Sequence, residues 1–148
     1  MRQYLESLRD TERFGAELAR LCTEPAPCAV FFQGELGTGK TTLIQAMVRA
    51  LPGSDQAEVS SPSFNMVNFY PTIPPVAHFD LYRLRDASQE ESLLEYLDSE
   101  EYLLLVEWSE RLPRQFWPKE HVLVSLGFEA QGRSVEVTGS DRIDRWQE

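Results

Sequence analysis

The chain has 148 residues and carries 24 Asp and Glu against 14 Lys and Arg, a formal net charge of −10 with a pI of about 4.7. With 42% hydrophobic and 11% aromatic residues it has enough apolar side chains to bury a core, which excludes a disordered chain and makes one domain the simplest organisation. So acidic a surface is repelled by phosphate backbones, so nucleic-acid binding by this chain alone is disfavoured, while a basic protein partner stays open.

The first residues, "MRQYLESLRDTERF", are charged throughout and lack the apolar centre of a signal peptide, and no apolar run approaches the ~18 residues of a membrane span; the expectation is a cytoplasmic protein. Phe14, Leu18 and Leu21 fall at helical spacing, with Asp10 or Thr11 as the expected N-cap. Cys22 and Cys28 flank "TEPAP" and read as two half-buried thiols rather than a disulfide. "CAVFFQ" suits a buried parallel strand, and Ile44, Met47, Val48 and Leu51 line one face of a helix that stops at Pro52-Gly53. "FNMVNFY" and "VAHFDLY" predict two strands around the proline-rich "PTIPP". Ser88 and Glu91 form a capping-box pattern before Leu93, Leu94 and Leu97. "YLLLVE" is a second apolar run, ending in a carboxylate. Val122, Val124, Leu126 and Phe128 alternate, "AQGR" turns, and "SVEV" returns as a hairpin partner. The expected organisation is one domain over 1–139, a polar tail over 140–148, and an α/β sandwich with a mixed, mainly parallel central sheet and flanking helices.

Between the first apolar run and its helix lies "GELGTGKTT": Gly34, Glu35, Leu36, Gly37, Thr38, Gly39, Lys40, Thr41 and Thr42. It satisfies G-x-x-x-x-G-K-[ST], which chance places in about one chain in a few hundred of this length. Glycines let backbone N–H groups converge on phosphate oxygens, and the helix start adds unsatisfied N–H groups and the positive end of its dipole. Lys40 would reach the β- and γ-phosphates and the Thr41 hydroxyl would ligate Mg²⁺. A second anchor for Mg²⁺ belongs at the end of a neighbouring strand, where Glu107 stands. Asp80 in "HFDLYR" is a further acidic candidate, although a surface ion pair with Arg83 or Arg85 is a competing reading. Guanine-reading [NT]-K-x-D is absent, since the two lysines are Lys40 and Lys119, and there is no "SGGQ"; ATP is the expected nucleotide. The cysteines and histidines lack the spacing of a zinc site.

The motifs "DTERFGAELA", "GELGTGKTTL", "SSPSF", "HFDLYRL", "LLLVEWSERLP" and "GRSVEV" occur in this order, and from Asp10 to about Gly139 the chain resembles the bacterial TsaE (YjeE) family. The resemblance implies a small P-loop ATPase required for N6-threonylcarbamoyladenosine at adenosine 37 of tRNA. The implied partners are the TsaD and TsaB proteins, with tRNA reached only through that complex. It makes Lys40 the phosphate-binding lysine, Thr41 and Glu107 the Mg²⁺ ligands, and Asp80 a carboxylate required for hydrolysis. Ser61 or Ser63 of "SSPSF" would sense the γ-phosphate. Thr11 is implied beside the adenine and Trp108 beside the nucleotide, with a core aromatic as the plain alternative for the latter. Arg133 matches a late arginine near the phosphates, or is an exposed hairpin arginine. His78 is expected to orient a neighbour by hydrogen bonding. Two other classes stay in view: a small-molecule kinase with "RLRD" (Arg83 to Asp86) as its lid, and a module in which ATP only sets conformation.

Overall fold

The computed structural model describes residues 1–56, 66–88 and 90–146. A short strand, β1 (Arg2–Leu5), precedes the long helix α1 (Leu8–Thr23). The N-cap is Ser7, not Asp10 or Thr11: the Asp10 N–H donates to Ser7 Oγ at 3.1 Å, and Asp10 Oδ2 reaches back to accept the Glu6 N–H at 3.0 Å. Asp10 thus occupies the reciprocal third position of a capping arrangement, and its preference for helix starts is expressed there.

The remaining elements are β2 (Ala29–Gln33), α2 (Lys40–Arg49), β3 (Val67–Tyr70), β4 (Val76–Asp80), α3 (Glu91–Leu97), β5 (Leu103–Glu107), β6 (His121–Glu129), β7 (Gly132–Gly139) and α4 (Arg142–Trp146). All seven strands join one sheet in the order β1-β7-β6-β2-β5-β4-β3. The four central strands, β6, β2, β5 and β4, run parallel, and the outer pairs β1–β7, β6–β7 and β3–β4 are antiparallel. The mixed, centrally parallel sheet matches the expected fold class. The "AQGR" hairpin turns where expected, with Glu129 opposite Gly132.

Strand alternation sorts the core into two layers. Val30, Phe32, Leu103, Leu105, Val122 and Val124 pack under α1 and α2 with Phe14, Leu18, Leu43 and Met47. Phe31, Ala77, Phe79, Leu104 and Val106 face the other way, against Leu93, Leu97 and Leu112. Each fully buried Leu or Phe stabilises by about 1.5–3 kcal/mol, so both layers are substantial. Helices α1 and α2 approach closely because residue 15 is glycine: a Cβ there would lie 2.6 Å from Ala46 Cβ. That contact fixes α2, which carries the lysine and threonine of the glycine turn.

Three segments differ from expectation. β1 was not foreseen; it pairs with β7 at the edge of the sheet. The capping box at Ser88 is not formed, since α3 begins after Glu90 with no side-chain cap and the Ser88 N–H goes to Asp86 Oδ1. The expected polar tail contains a docked helix through Trp146, whose ring meets Phe14 at 5.4 Å. Buried Arg142 anchors it, donating to Glu120 Oε1 at 2.6 Å and to the carbonyls of Leu21 and Glu24 at the end of α1. Those carbonyls have no helical partners, so the guanidinium caps α1 from outside. Cys22 and Cys28 are both buried free thiols.

Candidate nucleotide-binding site

The glycine turn spans the C-terminal end of β2 and the start of α2. Gly39 is the N-cap of α2 at φ +97°, a left-handed conformation that side chains rarely adopt. It also lies under Arg133, whose Cδ and Nε would stand 3.3 Å from a Cβ at that position. Arg133 is therefore no free hairpin arginine: from β7 it crosses to the turn and donates to the Gly37 carbonyl at 3.4 Å. Thr38 braces the turn from within, its hydroxyl donating to the Glu35 carbonyl at 2.7 Å. Lys40, only 5% exposed, donates from Nζ to the carbonyls of Gly34 and Glu35.

The second wall comes from the ends of β4 and β5. Leu103, Leu105 and Glu107 share one face of β5, the face under α2, so the apolar run delivers its carboxylate directly to the helix start. Glu107 is 4% exposed. Its Oε1 accepts the Thr41 hydroxyl at 3.0 Å and its Oε2 lies 2.8 Å from His78 Nε2. Burial pushes this carboxyl up, but the hydrogen bond and charge of His78, the Thr41 bond and the Lys40 charge outweigh it and hold it below the usual carboxylate range. The same buried charge, after burial itself, helps to raise the Tyr70 phenol.

Asp80 stands beside Glu107 in the β4–β5 register, at the exposed end of the strand. Its Oδ1 accepts the Tyr82 N–H at 3.1 Å, and among the described residues it forms no ion pair with Arg83 or Arg85. Directly after Glu107, Trp108 adopts φ 58°, ψ 44°, the only non-glycine residue at positive φ among those described. Such backbone strain recurs at functional sites, and here it turns the indole toward the glycine turn. Lys40 Nζ lies 4.6 Å from the centre of that ring, and Tyr82 packs on it at 4.9 Å.

These pieces enclose a cleft of about 330 Å³ lined by Leu36, Gly37, Gly39, Lys40, Thr41, Thr42, Asp80, Tyr82, Glu107, Trp108 and Arg133. Gly34, Glu35 and Thr38 belong to the turn behind it. Thr11 is not brought to the cleft wall; it sits in the first turns of α1 with its hydroxyl on the Ser7 carbonyl at 3.3 Å. Ser61 and Ser63 lie outside the described residues. The "RLRD" segment contributes nothing to the cleft wall, where a kinase lid would stand. Tyr82 was missed by sequence reasoning, although it follows Asp80 by two positions and a strand-end carboxylate often carries its neighbours to the same rim.

The model of the family described as "Threonylcarbamoyl adenosine biosynthesis protein TsaE" matches residues 5–135. The chain belongs to the TsaE family. A tRNA threonylcarbamoyladenosine biosynthesis protein TsaE of Haemophilus influenzae is 31% identical over 144 residues, covering 93% of this chain and 86% of its own. The TsaE proteins of Synechocystis and Aquifex aeolicus are 36% and 37% identical, covering 77% and 72% of this chain and 73% and 75% of theirs. Among solved structures, Bacillus subtilis YdiB superposes with a TM-score of 0.73 at 20% identity, over 99% of this chain and 90% of that one, a likeness of fold. Among the described residues no helix is long and apolar enough to cross a membrane.

Proposed function

We propose that this TsaE-family chain is a Mg²⁺-dependent ATPase in the biosynthesis of threonylcarbamoyladenosine in tRNA, acting with the TsaB and TsaD proteins. The pathway is the one in the names of its relatives. The observation that carries the ATPase reading is the bond between Thr41 and Glu107, which joins the hydroxyl of the glycine turn to a strand-end carboxylate beside the cleft.

The donors fit magnesium. Thr41 Oγ1 and a buried carboxylate held ionised are hard oxygen ligands 3.0 Å apart. Among the described residues no group of three or more His, Cys, Asp or Glu converges, which suits an ion that keeps several waters and leans on substrate phosphates. Held by Thr41 and Glu107, Mg²⁺ would supply positive charge to offset the charge that develops on the transferring phosphoryl group. The chain's own residues supply the rest. Backbone N–H groups of the turn and of the α2 start hold phosphate oxygens. Lys40, confined between the turn carbonyls and the Trp108 face, presents its charge at the phosphates rather than to solvent. Arg133, packed on Gly39, adds a second cation at the cleft wall. Asp80 has Oδ1 held by the Tyr82 N–H and no partner for Oδ2 among the described residues, so Oδ2 would accept a proton of the attacking water and orient it. Water attacks the γ-phosphorus, the bond to the bridging oxygen breaks, and ADP and phosphate leave.

The test is ATP binding and hydrolysis by the purified chain, with Mg²⁺ and in EDTA, alone and with TsaB and TsaD. Mg²⁺-dependent release of phosphate, faster with both partners, supports the reading. Phosphate release that ignores Mg²⁺, or that is fast without partners, contradicts it.

A further inference from the structure

We infer that His78, backed by Asn68, is the positioning residue that holds Glu107 in place as a metal ligand; this rests on the Mg²⁺ site proposed above. The two oxygens of Glu107 are divided between partners, Oε1 to Thr41 and Oε2 to His78. A carboxylate turns readily about its last torsion, so one bond alone would leave its plane free. If Oε1 and the Thr41 hydroxyl both turn to the ion, the bond to His78 is the one that keeps the carboxylate oriented.

His78 cannot itself reach the phosphates. It lies two residues before Asp80 on the same face of β4, one layer deeper in the sheet, and is 5% exposed. Its imidazole is spent on Glu107, and Nε2 must carry the proton for that contact to be a hydrogen bond, because a bare lone pair would meet a carboxylate lone pair. The other nitrogen, Nδ1, needs a partner as well. Asn68 stands directly opposite His78 in the β3–β4 pair, so the two side chains project from the same face. Buried Asn68 Oδ1 and buried His78 Nδ1 each have no hydrogen-bond partner among the described residues. Buried polar atoms are rarely left so, and the facing positions let the two satisfy each other: Nδ1–H of a charged ring would donate to Asn68 Oδ1, and a half-turn of the amide would offer its NH₂ to Nδ1 of a neutral one. Either way Nε2, the nitrogen facing Glu107, carries a proton. The hydrogen-bond chain then links Asn68, His78 and Glu107, the arrangement by which outer partners orient a ligand and tune its affinity.

The experiment measures Mn²⁺ binding to the ADP complex by electron paramagnetic resonance, and ADP affinity in EDTA by calorimetry. His78→Phe should weaken Mn²⁺ binding about 10–100-fold, as loss of such outer partners does. ADP affinity in EDTA should stay within about twofold, because the backbone and Lys40 contacts remain. His78→Gln, whose amide nitrogen reaches the place of Nε2, should recover most of the loss. His78→Asn, equally polar but too short to reach Glu107, should match His78→Phe, and this pair decides the matter if the Phe variant does not fold. Asn68→Leu should fall between. Wild-type Mn²⁺ affinity in folded His78→Asn, or no recovery in His78→Gln, overturns the positioning role alone. Failure of the wild-type ADP complex to bind Mn²⁺ overturns the metal site and this role with it.

Discussion

Replacing Glu107 by Gln removes one charge and keeps the shape of the side chain, so it separates folding from metal binding. In the free protein the partners of Glu107 outweigh the cost of its burial, as its lowered pKa indicates, so the neutral amide should be less stable. Charge-assisted hydrogen bonds contribute ~1.5–3 kcal/mol against ~0.5–1.5 for neutral ones, and Glu107 makes two, to Thr41 and His78. Relief of the buried charge returns part of that difference, which leaves a net loss of about 1–2 kcal/mol and a Tm lower by roughly 2–8 °C. The effect on nucleotide should depend on the metal. With Mg²⁺ a ligand is lost, and ADP affinity should fall at least about tenfold, ~1.4 kcal/mol. In EDTA an anion beside the phosphates has gone, and affinity should hold or rise. Urea unfolding gives the first quantity and calorimetry in both buffers the second. An equal loss of affinity in Mg²⁺ and EDTA would refute the assignment of Glu107 to the metal, because it would mean that the substitution merely damages the cleft.

Asp80→Asn should bind nucleotide and Mg²⁺ normally yet turn over at least about tenfold more slowly, since a positioned acid–base group contributes on the order of 10²–10⁴ and the amide keeps part of the geometry; single-turnover phosphate release checks this, and an unchanged rate removes the water-positioning role. Trp108 emission should change on adding ATP while Trp117, stacked on Phe31 at 4.0 Å, stays constant, as single-tryptophan variants would report. Gly15→Val should cost on the order of 2 kcal/mol by forcing methyl groups into Ala46 and the α2 backbone, and should weaken ATP binding as well because α2 carries Lys40 and Thr41; denaturant unfolding together with calorimetry tests both effects. Iodoacetamide should alkylate Cys28 before Cys22: the hydrogen bond from Cys22 lowers the Cys28 thiol and burial raises that of Cys22, an order that peptide mass mapping would reveal.

The parts of the fold that could be read from sequence are those where several constraints act on one short stretch. The glycine turn has a strand before it, a helix after it and residue types set by backbone geometry, and around it the structure joins Thr41 to Glu107 and sets Lys40 against Trp108. β5 was legible because five consecutive buried residues leave little alternative to a central strand. β1 was not, since "RQYL" offers one buried residue in four and owes its form to β7, which lies more than a hundred residues along the chain. α4 escaped for a similar reason: Ile143 and Trp146 make too short a pattern to stand out, and Arg142, an exposed residue by type, is buried by a carboxylate and two helix-end carbonyls brought from elsewhere. The link from Asn68 to His78 depends on strand register, which no local pattern in the "PTIPP" region specifies.

Nucleotide hydrolysis in this cleft is proposed to serve the modification of tRNA. The most direct measurement is threonylcarbamoyladenosine formed per TsaD in a reconstitution from purified components, with this chain, without it, and with Lys40→Ala. Lys40 contacts backbone carbonyls and the Trp108 ring rather than the apolar core, so the variant should fold. Repeated rounds of modification with the wild-type chain and ATP, with the yield falling to the level of the omitted protein for Lys40→Ala, is the expected result. Sustained modification with Lys40→Ala, or with a non-hydrolysable ATP analogue through multiple turnovers, would contradict it.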